Sequence, residues 1–165
     1  MDSTQVDWIA IINVVLTIVS GFGAWKSVAY YKKSKQITIY ANTNIAYIEC
    51  QKIIETFPNM LRLANVRNRR GINHINEICQ NGQQIKISIN KIRENMAVKD
   101  FEEIKKILNS DELKVEMYID SFITGSVLVD NELIIDDKFN LCQEKFYEMQ
   151  SLIKMKLEDI SENLK

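Results

Sequence analysis

A chain of 165 residues that is 46% hydrophobic, with one proline and five glycines, has the content of an ordered, mostly helical protein and excludes a disordered one. Its net charge is −1. Its three cysteines, Cys50, Cys79 and Cys142, stand far apart without a C-x-x-C pair, which excludes a disulfide framework and a cysteine zinc site and suits reduced thiols in a cytosolic body.

The small net charge hides an uneven distribution. Up to Leu61 there are five lysines against four acids, from Arg62 to Arg93 seven bases against Glu77 alone, and from Glu94 onward nine lysines against seventeen acids. This polarity implies either an anionic partner for the middle third or pairing between the middle and the C-terminal regions.

The first predicted element is WIAIINVVLTIVSGFGAW, Trp8 to Trp25, a run without a charge. A membrane-spanning helix takes about 20 apolar residues, and the run reaches that length through Ser27, Val28 and Ala29, which sets a span over 8–28 within an N-terminal unit of residues 1–29. Asp2 and Asp7 precede it, and Lys26, Lys32, Lys33 and Lys35 follow it. That order is the reverse of a secretory signal, so the segment is expected to remain uncleaved. The lysines predict a single-pass protein of the cell membrane, N-terminus outside and C-terminal domain cytoplasmic, with Trp8 at one interface and Trp25, Tyr30 and Tyr31 near the other. The alternative is a hydrophobic helix in the core of a soluble domain.

Within the run, Asn13, Thr17, Ser20 and Ala24, together with Ala10 and Ser27, share about 100° of helix surface, while Ile11, Ile12, Val15, Ile18, Val19 and Phe22 lie elsewhere. An unpaired amide in hydrocarbon costs several kcal/mol, so this stripe should face protein or water. Packing between helices and a pore wall built by several copies both satisfy that demand. Both require a homo-oligomer.

Residues 30–57 continue the helical period as a connecting helix with Ile37, Tyr40, Ala41, Asn44, Tyr47, Ile48 and Ile54 on its face, and no Gly or Pro separates Ala24 from Phe57. Pro58 is expected to break or kink it and to open a helical domain over 58–165. In that domain a short helix from Asn59 to about Asn68 is expected to end at Gly71, with a turn at Asn81-Gly82. Ile85, Ile89, Ile92 and Met96 are spaced as the face of the next helix; the alternation in IKISIN also fits a strand, and the length of the segment favours the helix. Asp100 and Glu103 form a capping box for a helix to Leu108, and Ser110 is expected to cap another reaching about Leu128. Lys138 to Leu164 forms a long amphipathic helix, with Phe139, Cys142, Phe146, Met149, Ile153, Leu157, Ile160 and Leu164 recurring at threes and fours, packed on the core or shared between subunits. The fold class is therefore all-α: one transmembrane helix continuing into a helical bundle.

No enzyme is indicated. The chain carries no phosphate-cradling glycine loop, G-x-S-x-G or H-E-x-x-H, and His74 lacks a cysteine or carboxylate partner at a recognisable spacing. Neither a catalytic residue nor a cofactor or metal site is assigned. The chemistry-bearing pattern is RLANVRNRRGINH, which holds Arg62, Arg67, Arg69 and Arg70, followed by Lys86, Lys91 and Arg93 on a later helix. Guanidinium groups bind phosphate through planar paired contacts, which makes this cluster a candidate site for a nucleotide or nucleic-acid oligomer. Lipid headgroups or the acidic C-terminal third are the competing partners. No aromatic residue lies between Phe57 and Phe101, so base stacking is not expected from this segment.

The order of WIAIINVVLTIVSGFGAW, KSVAYYKKSK and a compact helical domain resembles the small membrane effectors of bacterial anti-phage defence, most of all the channel effector of Hailong systems. The resemblance spans the whole chain as an architecture and carries no diagnostic motif. It implies a tetrameric channel, a nucleotidyltransferase partner that makes a nucleic-acid oligomer, a pore role for the polar stripe and an oligomer-binding role for the basic cluster. Two expectations of different class follow: a ligand-gated, homo-oligomeric membrane channel, or a membrane-anchored scaffold that docks another protein through its acidic C-terminal part.

Overall fold

The computed structural model describes the backbone of residues 8–65, 72–126, 128–129, 132–133 and 137–164, and the side chains of 13–63, 75–126 and 137–164. Among the described residues the fold is all-α, with five helices and a minimal antiparallel ladder. The helices are α1 (Trp8–Asn65), α2 (Ile72–Asn95), α3 (Val98–Leu108), α4 (Val115–Ile123) and α5 (Asp137–Glu162). Strands β1 (Leu128–Val129) and β2 (Glu132–Leu133) pair with Val129 opposite Glu132.

Helix α1 dominates the molecule. Its 58 residues extend about 87 Å at 1.5 Å per residue. Its second half is the centre of the bundle, with α2 on one flank and α5 on the other, while α4 packs on α2 and α3 on α5. Its buried positions are Thr43, Ala46, Cys50, Ile53, Phe57 and Met60, a three-four spacing facing the bundle, with Glu49 buried beside them. This corrects the expected face. Of that face Ile37, Ala41 and Ile48 are exposed and Tyr47 and Ile54 only partly buried against the core, because α2 and α5 occupy the other sides of the helix.

Pro58 does not end the helix, which passes through it to Asn65. A proline removes one i→i−4 hydrogen bond and costs about 3 kcal/mol in a helix interior. Here Phe57 and Met60, both fully buried, tie the helix to the core on either side of it, and Asn59 Nδ2 donates to the Glu55 carbonyl at 2.9 Å. Tertiary packing overrides the local breaker. The helix expected from Asn59 is thus the end of α1, and its continuation to Asn68 and the cap at Gly71 lie outside the described residues.

Asn81 and Gly82 form no turn but sit inside α2. A Cβ on Gly82 would lie 3.1 Å from Ile123 Cγ1 and 3.4 Å from Phe122 Cβ, so glycine serves there to let α4 approach α2 closely. The expected face holds: Ile85, Ile89 and Ile92 of α2 and Met96 just past its end are all buried. Helix α3 starts earlier than the expected capping box, with Ala97 at its N-cap and no side-chain cap. Asp100 and Glu103 instead share one face, where both accept from Lys156 of α5 at 3.0 and 3.1 Å. Ser110 braces the turn before α4 by accepting the Leu113 N–H at 3.3 Å, and α4 ends at Ile123 rather than near Leu128. The reason is Gly125, whose φ of 73° lies in the left-handed region that stops a helix.

On α5, Phe139, Cys142, Phe146, Met149 and Ile153 are buried, while Leu157 and Ile160 are half-exposed as the helix leaves the core. Phe57 stacks on Phe139 with centroids 4.2 Å apart and meets the edges of Phe146 and Phe122 at 5.2 and 6.3 Å. Aromatic rings from α1, α4 and α5 thus meet at one point.

Candidate functional site

The first candidate feature is the N-terminal half of α1. Every large apolar side chain from Val14 to Tyr31 is more than half exposed. Apolar area of this extent on one helix needs a cover other than water. Asn13, Thr17, Ser20 and Ala24 are exposed, as is every described residue of α1 up to Ile39. Thr17 Oγ1 donates to the Asn13 carbonyl at 2.8 Å, so its hydroxyl is satisfied within the helix. Phe22 and Trp25 meet edge to face at 6.0 Å. Among the described residues no helix is long and apolar enough to cross a membrane. The side chains of Ile9, Ala10, Ile11 and Ile12, the most apolar part of the run, precede the first described side chain, and Lys26 follows directly on Trp25.

The second candidate feature is the basic cluster, which the fold divides. Arg62 is exposed in the last turn of α1. Arg67, Arg69 and Arg70 lie outside the described residues, and His74 belongs to the first turn of α2. The three bases of α2 each meet a carboxylate from another element. Lys86 pairs with Asp120 of α4, Arg93 with Glu116 of α4 at 3.2 Å, and Lys91 with Glu49 of α1 at 3.4 Å. Arg93 also lies over the Phe101 ring, 5.3 Å from its centroid. All three side chains remain about half exposed, so water screens these pairs strongly. Part of the charge polarity in the sequence is therefore spent between the middle and C-terminal regions of the same chain.

Glu49, to which the sequence drew no attention, is 4% exposed between α1 and α2. Ser88 Oγ donates to it at 2.9 Å and Lys52 Nζ at 2.7 Å. Burial alone would raise its carboxyl pKa, but the hydrogen bonds from Lys52 and Ser88 and the charges of Lys52 and Lys91 hold it below the ordinary value. The i,i+3 pair Glu49–Lys52 was readable in the sequence, whereas the pairing with Ser88 and Lys91 needed the fold. This centre is structural, since its acceptor is already filled by three donors.

Cys50, Cys79 and Cys142 are free thiols, and burial pushes Cys50 up to about 12 and Cys142 higher still, so neither is a nucleophile at neutral pH. Among the described residues no group of His, Cys, Asp and Glu is placed to hold a metal ion. An open cleft of about 440 Å³ between α4 and α5 carries both signs of charge, from Asp111 and Glu112 and from Lys114 and Lys138, and so offers no selective anion site. No protein-family model matches the chain, and no curated protein or solved structure shows significant similarity to it.

Proposed function

We propose that the chain is a homo-oligomeric membrane effector that forms a ligand-gated channel, in anti-phage defence as the architectural resemblance implies, with a cytoplasmic domain that binds a nucleotide or nucleic-acid oligomer. The observation that carries this reading is the continuity of α1 from Trp8 to Asn65. One helix supplies both the exposed apolar stalk and the central strut of the bundle, so a change in bundle packing moves the stalk as a lever. The stalk's uncovered apolar surface is met by lipid on one side and by sister stalks along Asn13, Thr17, Ser20 and Ala24. The lysines after Trp25 set the bundle in the cytoplasm.

Purified protein in liposomes is expected to release an entrapped dye, to a degree that oligonucleotide alters, and Ser20→Leu is expected to abolish the release without dispersing the oligomer. If the stripe only packs helices, Ser20→Leu separates the subunits instead, because close approach depends on small residues there. Dye retained under all conditions, with and without oligonucleotide, sinks the channel reading.

For the ligand, changing Arg67, Arg69 and Arg70 together to Ala is expected to weaken oligonucleotide binding and to lower the slope of log K against log salt by about 0.7 for each phosphate no longer neutralised. Unchanged binding with the same slope places the ligand elsewhere.

A second reading, a membrane-anchored scaffold docking a protein through its acidic helical C-terminal part, is favoured by the ion pairs of Lys86, Lys91 and Arg93. They reduce the positive charge available to a polyanion.

A further inference from the structure

The polar stripe does not stop where the apolar run stops. Asn13, Thr17, Ser20 and Ala24 are separated by four, three and four residues, and the same alternation continues through Ser27, Tyr31 and Ser34 to Thr38 and Ala41, ending on Ile45 and Ile48. A strict repeat of this kind keeps one side of a helix facing a partner over several heptads when helices supercoil left-handedly. None of these eleven positions is charged, in a chain that is 26% charged, and Lys26, Lys32, Lys33 and Lys35 all fall off the repeat.

Up to Ile39 every described residue of α1 is exposed, on the line and off it, and the line stays uncovered beyond that point. From Asn13 to Thr38 the residues are exposed, as is Ala41, and Ile45 and Ile48 are each 43% exposed although they lie at the level of the bundle. The chain's own α2 and α5 cover the other two sides of α1 there. Both threonines on the line donate to carbonyls of residues on the line: Thr17 to Asn13 at 2.8 Å and Thr38 to Ser34 at 3.1 Å. Their hydroxyls can therefore be buried without losing a hydrogen bond.

We infer that this line is a single self-association seam on which copies of the chain pack α1 against α1, parallel and in register, from Asn13 in the stalk to Ile48 beside the bundle. The inference deepens the proposed function and rests on its reading of α1 as a membrane helix, which points all copies the same way. In the parallel arrangement Ile45 and Ile48 meet their counterparts, and the Asn13 amide, both donor and acceptor, meets an identical amide. An antiparallel pair would set Lys32, Lys33 and Lys35 of both copies together near its midpoint and place Ile48 against Asn13. Isoleucine at both seam positions of the last heptad favours three or four strands over two. Ile45 and Ile48 alone would bury too little for a specific interface, which takes about 800 Å² per partner. A seam about 54 Å long approaches that scale.

The test is oxidative cross-linking of the full chain in lipid vesicles, with copper phenanthroline and oxygen, in a background where half-buried Cys79 is replaced by Ser. Ala41→Cys and Ile48→Cys are expected to give disulfide-linked dimers at least tenfold more efficiently than Gln36→Cys, which is exposed on α1 but lies off the seam. Equal cross-linking at all three sites, or none at Ala41 and Ile48, overturns the seam; the latter is also the outcome if a different protein or lipid covers this face. Linkage between Asn13→Cys and Ile48→Cys chains in a mixed sample overturns the parallel arrangement. Dye release from the same vesicles is scored separately. Seam-specific linkage without release leaves the seam standing and removes the channel, and release without seam-specific linkage does the opposite.

Discussion

Phe57→Ala is expected to cost about 3–5 kcal/mol of folding free energy. Phe57 is fully buried, and its ring is held by Phe139 and Phe146 of α5 and by Phe122 of α4. These partners sit on two different helices and are themselves fixed by neighbours, Phe122 by Tyr118 at 5.0 Å. The void left by the ring therefore cannot close by a small shift of one element, and the cavity adds to the lost transfer energy. For a chain of this size the midpoint of thermal unfolding should fall by roughly 6–20 °C, at about 2–4 °C per kcal/mol. Phe57→Leu, which keeps most of the volume, should cost about 1–1.5 kcal/mol. Denaturant unfolding of both variants beside the parent measures this directly, and a loss below about 1 kcal/mol for the alanine variant would show that the aromatic junction does not organise the bundle.

The second large effect belongs to Glu49. Glu49→Leu is expected to cost about 1–3 kcal/mol at pH 7, because it leaves the Ser88 hydroxyl, 1% exposed, without its acceptor. Lys52 and Lys91 are about half exposed and return to water, which keeps the loss below that of a broken, fully buried ion pair. The pH dependence has a definite sign. The folded carboxyl titrates below its ordinary value of 4.5, so its stabilisation is fully present above that pH and disappears as pH falls through the lower folded value. The parent should therefore lose stability more steeply than Glu49→Leu below about pH 4.5, and the two should converge in acid. Unfolding midpoints measured from neutral pH down to about pH 3 decide it: curves that run parallel over that range would remove Glu49 from the acid limb.

Much of the architecture was legible before any coordinates, because amphipathic period is a local property. The buried faces of α2 and of α5 from Phe139 to Ile153 follow from spacing alone, since in each helix those positions form one continuous apolar stripe. Helix α1 behaves differently. It carries apolar residues on more than one side, so Ile45 and Ile48 were as eligible for the core as Cys50 and Phe57 until α2 and α5 took their places beside it.

Composition and local pattern were enough for the helical class, the absence of charge in the opening run, the lysines that follow it and the charge polarity of the last two thirds. It took the folded chain to keep Pro58 inside a helix, to make Gly82 a point of close approach rather than a turn, and to set an acid from another element beside each of Lys86, Lys91 and Arg93. One cause is common to all three. Proline, glycine and lysine report local cost or local charge, whereas the outcome depends on residues of other helices that offset the cost, fill the space or neutralise the charge, and that separation carries no periodic signal along the chain.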